Sequence, residues 1–348
     1  MKPAYVADLE ADQSITTFFL VGAKETRTGS TGKPFLRVEL SDRTGSIEAR
    51  VWDAVEEHSA AFDSDDIVKV KGRVEQYRGR NQLIVEKIRR VEASEVELAD
   101  FFPHTAEDVE KLYARLGEIA ASVQNPWLAR LLTSVVDDPE IAPQLKRAPA
   151  AKGMHHAYIG GLLEHMVSLC ELCSVVAARY PEVDRDLLLT GAILHDVGKI
   201  RELTYDRSFG YSTEGMLLGH ILIEYEMLTR KMDAIEGFPE RLKTMVQHML
   251  ISHHGKMEFG SPKLPMFREA LLLHYLDDLD SKMAAIRSAL SSADGEGDWT
   301  ARSPALERRF LRGEAYLNGA SREAAAPEQL KLEAPAEESA KAKARAKE

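Results

Sequence analysis

A six-residue stretch, Leu194-His195-Asp196-Val197-Gly198-Lys199, follows the apolar run at residues 187–194 and decides how the second half of the chain is interpreted. It brings an imidazole, a carboxylate and an ammonium together at the end of a helical pattern. If the helix continues, His195 and Lys199 are four residues apart and share one face. Imidazoles and carboxylates bind first-row divalent metals, and such metals activate water for hydrolysis. The stretch therefore predicts a hydrolytic metal site in an all-α domain.

The histidines of the chain are concentrated around this stretch. Nine of the 11 lie between His155 and His274. A single histidine on a helix is more often an ordinary core or surface residue than a ligand, so the prediction depends on the whole set. The candidate metal ligands are His165, His195, Asp196, His220, His253 and Asp277, with His254 as an additional ligand. The remaining histidines, His155, His156, His248 and His274, are interpreted as supporting or substrate-contacting residues.

The last long helix carries both apolar and acidic residues. Three- and four-residue spacing predicts a core stripe of Leu272, Leu276, Leu279, Met283 and Ile286. His274, Asp277 and Asp280 would then lie together on a different face. A buried aspartate facing a cavity needs a metal or another cation as its partner.

The first 95 residues alternate with the period of β-strands. Five short apolar segments are separated by turns such as Thr28-Gly29-Ser30 and Arg43-Thr44-Gly45, and a short helix is expected near residues 54–62. This pattern predicts a five-stranded all-β barrel of the OB type.

A basic stripe crosses the end of this region. Residues 67–90 contain eight basic and two acidic side chains, a local charge of +6 in a chain whose net charge is −11. Such a stripe can meet a polyanion. The candidate nucleic-acid contacts are Phe35, Trp52 and Tyr77 as stacking residues, with Arg37, Arg50, Arg73, Arg78, Arg80 and His156 as polar contacts. Burial of the aromatic rings in the barrel core is the alternative for each of them.

The quoted motifs resemble two known families. Residues 35–53 are similar to the central hairpin of OB domains of the tRNA-anticodon type, and His165, His195-Asp196 and Asp277 resemble the HD-superfamily metal phosphohydrolase motif. More specifically, residues 155–165 and 252–262 resemble the YhaM-type 3′→5′ exoribonucleases, which couple an N-terminal OB domain to a C-terminal HD domain. The HD-GYP cyclic-dinucleotide phosphodiesterases share the ligand order, but the sequence after His254 lacks Gly-Tyr-Pro.

The resemblance implies a metal-dependent 3′→5′ exonuclease acting on single-stranded RNA, with single-stranded DNA as a further substrate class. It implies two divalent ions, Mn²⁺ or Mg²⁺ first and Co²⁺, Ni²⁺ or Fe²⁺ as alternatives, with Asp196 and Lys199 as the catalytic residues. Two other hypotheses stay open: a nucleotide or cyclic-dinucleotide phosphohydrolase with a regulatory OB domain, and a non-catalytic nucleic-acid-binding protein with a structural metal. A length-dependent RNA ladder would distinguish the exonuclease from the phosphohydrolase, and tight RNA binding without turnover would favour the non-catalytic protein.

The domain organisation follows from these patterns. We expect an OB domain at residues 1–95, a helical connector at 96–150, an HD domain at 151–320 and a disordered tail at 321–348. Cys170 and Cys173 lie on an apolar helix stripe and are expected to be core residues. Without an apolar leader or an uninterrupted membrane-length run, a cytoplasmic protein without membrane association is expected, and a homo-oligomer is compatible with the sequence.

Overall fold

The computed structural model of the 348-residue chain describes residues 2–29, 32–77, 79–92, 95–97, 100–151, 158–205, 209–291 and 295–317. It forms two compact units, Met1–Ala285 and a second that begins at Ile286. The first unit contains both the barrel and the helices that carry the candidate metal ligands.

The N-terminal part of the first unit is a closed five-stranded barrel. Its strands are β1 (Ser14–Thr28), β2 (Pro34–Asp42), β3 (Gly45–Val51), β4 (Ile67–Tyr77) and β5 (Arg80–Arg90). They close in the order β1-β2-β3-β5-β4, with β3 and β5 parallel and all other neighbours antiparallel. The short helix α1 (Val55–Ala60) connects β3 to β4. The alternating side chains of the strands fill the barrel, so the predicted OB fold is confirmed.

Helices form most of the remainder of the first unit, and the last of them continues beyond Ala285. They are α2 (Val109–Ala121), α3 (Pro126–Val136), α4 (Ala142–Leu145), α5 (Gly161–Arg179), α6 (Arg185–Leu194), α7 (Lys199–Glu202), α8 (Thr213–Ala234), α9 (Glu240–Ser252) and α10 (Arg268–Ser291). Between α7 and α8 lies a small hairpin of β6 (Leu203–Thr204) and β7 (Gly210–Tyr211). Leu116 of α2 and Leu128 of α3 share one buried cluster with Leu162 and Leu194, so the predicted connector packs as part of the helical domain.

Helix α5 is the central helix of this core. Among the described residues it is the one helix whose length and composition would suffice to cross a membrane, although Glu164 and Glu171 interrupt its apolar run. Its side chains Leu162, Met166 and Leu169 are buried inside the domain. Cys170 and Cys173 are also buried, as unpaired cysteines, as predicted.

The predicted core stripe of α10 is confirmed at Leu276 and wrong at Leu279 and Met283. Leu279 and Met283 are exposed, whereas Leu273, Leu276 and Asp280 face the interior. Counting apolar positions assumes that the inner face of a helix is apolar. Here that face also carries Asp277 and Asp280, because both meet His165 of α5.

Barrel and helical domain share a small apolar cluster, which we call the aromatic joint. It consists of Leu20 and Ile67 from the barrel, Phe101 and Phe102 from the segment after it, and the half-buried Phe209 from the β6–β7 hairpin, together with the flanking side chains Phe18, Val91, Val96 and Ile159. The rings of Phe102 and Phe209 lie 5.2 Å apart. The hairpin that leads into α8 therefore contacts residues that also touch the barrel.

The second unit contains a two-stranded hairpin, β8 (Gly295–Glu296) and β9 (Trp299–Thr300), and the short helix α11 (Gly313–Leu317). The predicted disordered tail, residues 321–348, lies outside the described residues.

Candidate metal centre

Two groups of three potential ligands lie in the interior of the helical domain. The His165 cluster joins His165 of α5, His195 just after α6 and Asp277 of α10. The His220 cluster joins His220 of α8 with His253 and His254 at the end of α9. Within each cluster the potential ligand atoms lie within 4.8 Å of one another.

Asp196 lies between the two clusters. Its Oδ2 is 3.3 Å from His195 Nε2 and 3.7 Å from His165 Nε2. Its Oδ1 is 3.6 Å from His220 Nε2 and 4.0 Å from His253 Nε2. One carboxylate thus presents one oxygen to each cluster, which is how a carboxylate bridges two cations.

Facing lone pairs show that the clusters suit cations. The Nδ1 atoms of His165 and His195 donate to Asp280 Oδ2 and to the Ala192 carbonyl, at 2.8 and 3.0 Å. Each neutral ring therefore has its lone pair on Nε2, and the two Nε2 atoms face each other at 3.3 Å. Two lone pairs at this distance repel unless a proton or a metal ion lies between them.

The His220 cluster repeats this arrangement. His220 Nδ1 donates to Glu202 at 3.1 Å, His254 Nδ1 donates to the Phe259 carbonyl at 2.7 Å, and their Nε2 atoms face each other at 3.3 Å. Among the described residues, the buried atoms His253 Nε2 and Asp196 Oδ1 have no hydrogen-bond partner. Buried polar atoms are rarely left in this state without a ligand. The donor set of imidazoles and carboxylates therefore fits divalent ions in both clusters.

The turn between α6 and α7 places Asp196. The helix of residues 185–194 does not continue through this turn: α6 ends at Leu194, and α7 begins at Lys199. Gly198 lies against α8, where a Cβ atom would be 2.3 Å from the His220 carbonyl oxygen. The absence of a side chain at Gly198 lets the backbone of α8 approach the turn that holds Asp196.

Charges in this turn favour an ionised carboxylate. Burial alone would raise the pKa of Asp196, but Lys199 and His195 outweigh it and hold the pKa well below its usual range. Lys199 Nζ lies 2.7 Å from Asp196 Oδ2. Burial would lower the pKa of Lys199, but Asp196 outweighs it and raises that pKa. The ammonium therefore stays charged beside the two clusters.

Three acidic residues support the clusters, and two of them, Glu202 and Glu224, were missed by sequence reasoning. Asp280 holds His165, as described above, and also accepts from the Ser168 hydroxyl at 2.6 Å. Glu202 accepts from His220, and the fully buried Glu224 accepts from the backbone N–H of Gly198 in the turn at 3.4 Å. Burial raises the pKa of Glu224 well above its usual value. A signal for Glu202 was its position three residues after Lys199, although its contact with His220 arises only from the tertiary fold.

The other histidines of the set lie at different places. His274 Nδ1 donates to the His253 carbonyl at 3.0 Å, beneath the positive-φ residue Gly255, so it supports the His220 cluster. His248 Nε2 accepts from the backbone N–H of Met266 at 3.1 Å. His155 and His156 lie outside the described residues.

The candidate nucleic-acid residues of the barrel form an aromatic group. The rings of Phe35 and Trp52 are stacked at 4.7 Å. Phe35 is only 8% exposed and Trp52 is 42% exposed, so Trp52 is the ring of this pair that a base could reach. The Arg50 guanidinium lies 5.4 Å from the rings of both Phe35 and Tyr77, and Tyr77 is exposed.

The arginines of this surface pair with carboxylates. Glu48 accepts from Arg37 at 2.7 Å and from Arg50 at 2.9 Å, and Arg73 pairs with Asp12. A phosphate would compete with these carboxylates for the guanidinium groups. Arg78 and the side chain of Arg80 lie outside the described residues.

Two family models match the barrel and the helical domain separately. A model of the OB-fold nucleic acid binding domain matches residues 20–91, and a model of the HD domain matches residues 162–282. The HD match indicates catalysis that depends on divalent metal ions. Among solved structures, the second OB-fold domain of replication protein A from Methanococcus maripaludis covers 27% of this chain and 98% of its own, with 25% identity and a TM-score of 0.22.

Curated relatives align over most of the chain. The 3′-5′ exoribonuclease YhaM of Bacillus velezensis and that of Bacillus subtilis are each 38% identical over 301 residues, which is 86% of this chain and 95% of each relative. The YhaM of a Geobacillus strain is 38% identical over 305 residues. The alignment includes barrel and helical domain alike, and the chain belongs to the YhaM family of 3′-5′ exoribonucleases.

Proposed function

We propose that this protein is a metal-dependent 3′→5′ exonuclease that hydrolyses phosphodiester bonds of single-stranded RNA, and of single-stranded DNA as a second substrate. The observation that carries the proposal is the position of Asp196, one oxygen toward each histidine cluster. The 3′→5′ direction rests on the family, since no residue spacing sets polarity.

The proposed ligands are His165, His195, Asp196 and Asp277 for one ion and Asp196, His220, His253 and His254 for the other. Mn²⁺ or Mg²⁺ is the proposed metal. When bound, the ions would supply Lewis acidity to the scissile phosphate and lower the pKa of the attacking water.

The chain's own residues would have three tasks. Lys199, charged and beside Asp196, would neutralise a non-bridging phosphate oxygen. Asp280 and Glu202 would keep the Nε2 atoms of His165 and His220 turned toward the centre. The barrel would bind the strand upstream through Trp52 and Tyr77, which favours longer strands over dinucleotides.

The test is a digestion of 5′-labelled and 3′-labelled single-stranded RNA with a panel of Mn²⁺, Mg²⁺, Co²⁺, Ni²⁺ and Fe²⁺. We expect a ladder of shortened 5′-labelled products and release of labelled mononucleotide from the 3′-labelled strand. Asp196→Ala should abolish shortening while RNA binding persists. Asp278→Ala is the matched control, because Asp278 is adjacent to Asp277 but pairs with Lys282. Wild-type rates from the Asp196 variant, or turnover of free nucleotides without any RNA ladder, would contradict the proposal.

A further inference from the structure

The segment at residues 256–266, between His254 and helix α10, has an unusual surface. Four large apolar side chains in these 11 residues, Met257, Phe259, Leu264 and Met266, are between 50% and 78% exposed. Exposed apolar side chains are unremarkable when scattered, but a contiguous group usually marks a binding surface.

The backbone of this segment is fixed although its side chains point outward. The Phe259 carbonyl accepts from His254 Nδ1 at 2.7 Å, and the Met266 N–H donates to His248 Nε2 at 3.1 Å. Ser261, between them, is buried. The segment is therefore a built surface, and one of its anchors is a member of the His220 cluster.

Charge complementarity indicates the occupant. Lys256 Nζ lies 5.2 Å from the centre of the Phe259 ring, and Lys256 and Lys263 are exposed. Within the described part of the chain, neither lysine has an ion pair with a carboxylate, and Glu258 is the one acidic residue of the segment. An aromatic ring with a lysine beside it suits a base that stacks and a phosphate that follows it.

We propose that the 256–266 segment binds the last bases of a single-stranded nucleic acid at the metal centre, with Phe259 stacking on a base and Lys256 contacting the backbone. The proposal rests on the proposed exonuclease function and adds to it a second binding surface, separate from the barrel. The segment continues directly from His254, so a strand entering the His220 cluster passes beside it.

The experiment compares the full-length wild type with Phe259→Ala, Phe259→Tyr and Lys256→Ala. Tyr180→Ala is the matched control, because Tyr180 is also an exposed aromatic residue with a cation over its ring, from Arg179, but lies at the end of α5. Substrates are a 5′-labelled RNA, the same RNA with abasic residues at its 3′ end, and the small diester bis(p-nitrophenyl) phosphate.

Stacking by Phe259 predicts that Phe259→Ala lowers kcat/KM on the normal RNA about tenfold, mainly through KM. Phe259→Tyr and Tyr180→Ala should stay within about twofold of wild type, and Lys256→Ala should weaken RNA turnover with a reduced salt dependence. Phe259→Ala and Lys256→Ala should lose less activity on the small diester, which has no neighbouring nucleotides, than on RNA. The wild type should digest the abasic RNA more slowly than the normal RNA, because its Phe259 has no base to stack on. Phe259→Ala should digest the two RNAs at almost equal rates, because it lacks the same stacking contact.

Other results would overturn the proposal in distinguishable ways. Equal losses on RNA and on the small diester would mean that Phe259 acts only through His254. Phe259→Ala could leave RNA turnover unchanged but alter the molecular mass of the protein in light scattering. The surface would then bind a second copy of the chain and not the nucleic acid. If the wild type itself shortened no RNA, the exonuclease proposal would fail first and this one with it.

Discussion

The carboxylate of Glu202 receives two hydrogen bonds from a single residue, His220: one from its backbone N–H at 3.0 Å and one from its imidazole Nδ1 at 3.1 Å. The backbone bond fixes where α8 continues after the kink at Gly219, and the imidazole bond fixes the orientation of the ring. Burial would raise the pKa of Glu202, but His220 outweighs it and lowers that pKa, so the carboxylate remains charged. Glu202 is therefore a positioning residue of the His220 cluster.

Replacing Glu202 with Gln should weaken metal binding to one cluster. Glutamine keeps an acceptor oxygen but loses the charge that makes His220 a stronger ligand, and such changes typically cost about 10- to 100-fold in affinity. Calorimetric titration of the metal-free protein with Mn²⁺ should show one weakened class of site. Asp280→Asn should weaken the His165 cluster instead. Equal Mn²⁺ affinities for Glu202→Gln and wild type would show that Glu202 does not support metal binding.

The metal-free protein should lose stability as the pH rises from about 6.5 to about 9. Burial lowers the pKa of His165, but hydrogen bonds to Asp277 and Asp280 outweigh it and raise the pKa to about 9. A raised folded-state pKa stabilises the fold below the unfolded value and loses that contribution as the pH passes the folded value. We expect a loss of about 2–3 kcal/mol in the free energy of unfolding, measured by urea titration after chelation.

Asp280→Asn provides the control for this pH dependence. Without the second carboxylate the pKa of His165 should move toward its usual value, so the variant should show a shallower slope across the same range. A flat profile for the metal-free wild type would show that His165 is not protonated there.

Gly198→Ala should disturb the centre without changing any polar group. The added methyl would meet the His220 carbonyl at 2.3 Å and the Glu224 N–H at 3.0 Å, so α8 would have to move away from Asp196. We expect a loss of about 1–3 kcal/mol in stability and weaker metal binding. Gly117 lies in α2, where an added methyl group would meet no neighbouring atom. Gly117→Ala should therefore gain up to about 1 kcal/mol of stability, measured by thermal unfolding. Equal effects of the two substitutions would contradict the close approach.

Trp52→Ala should weaken RNA binding by the barrel. Loss of its exposed face should cost about 1–3 kcal/mol in binding free energy, which fluorescence anisotropy with a labelled single strand would detect. The exposed Trp299 of the second unit offers a control of the same residue type. Identical dissociation constants for Trp52→Ala and wild type would place the strand elsewhere on the barrel.

Local patterns predicted the elements better than they predicted the contacts between them. The alternation along the strands predicted the barrel, and the spacing around His165 and His253 predicted that both side chains face inward, as they do. Each of these patterns depends on one element at a time. The support of His220 by Glu202 could not be read in this way, since 18 residues separate the two and only the packing of α7 against α8 joins them. The α10 stripe was misplaced for a related reason: Asp280 faces inward only because His165 lies opposite.

The aromatic joint has a consequence for the products of digestion. Because Phe102 and Phe209 pack together, the stacking surface of the barrel and the metal centre belong to one compact unit. A strand held at both places must span the path between them, and a strand shorter than this path can occupy only one. The aromatic joint would thus set the shortest strand that both places can hold, so the digestion rate should fall sharply below one oligonucleotide length. Phe209→Ala weakens the joint, and in this variant the rate should fall more gradually with length.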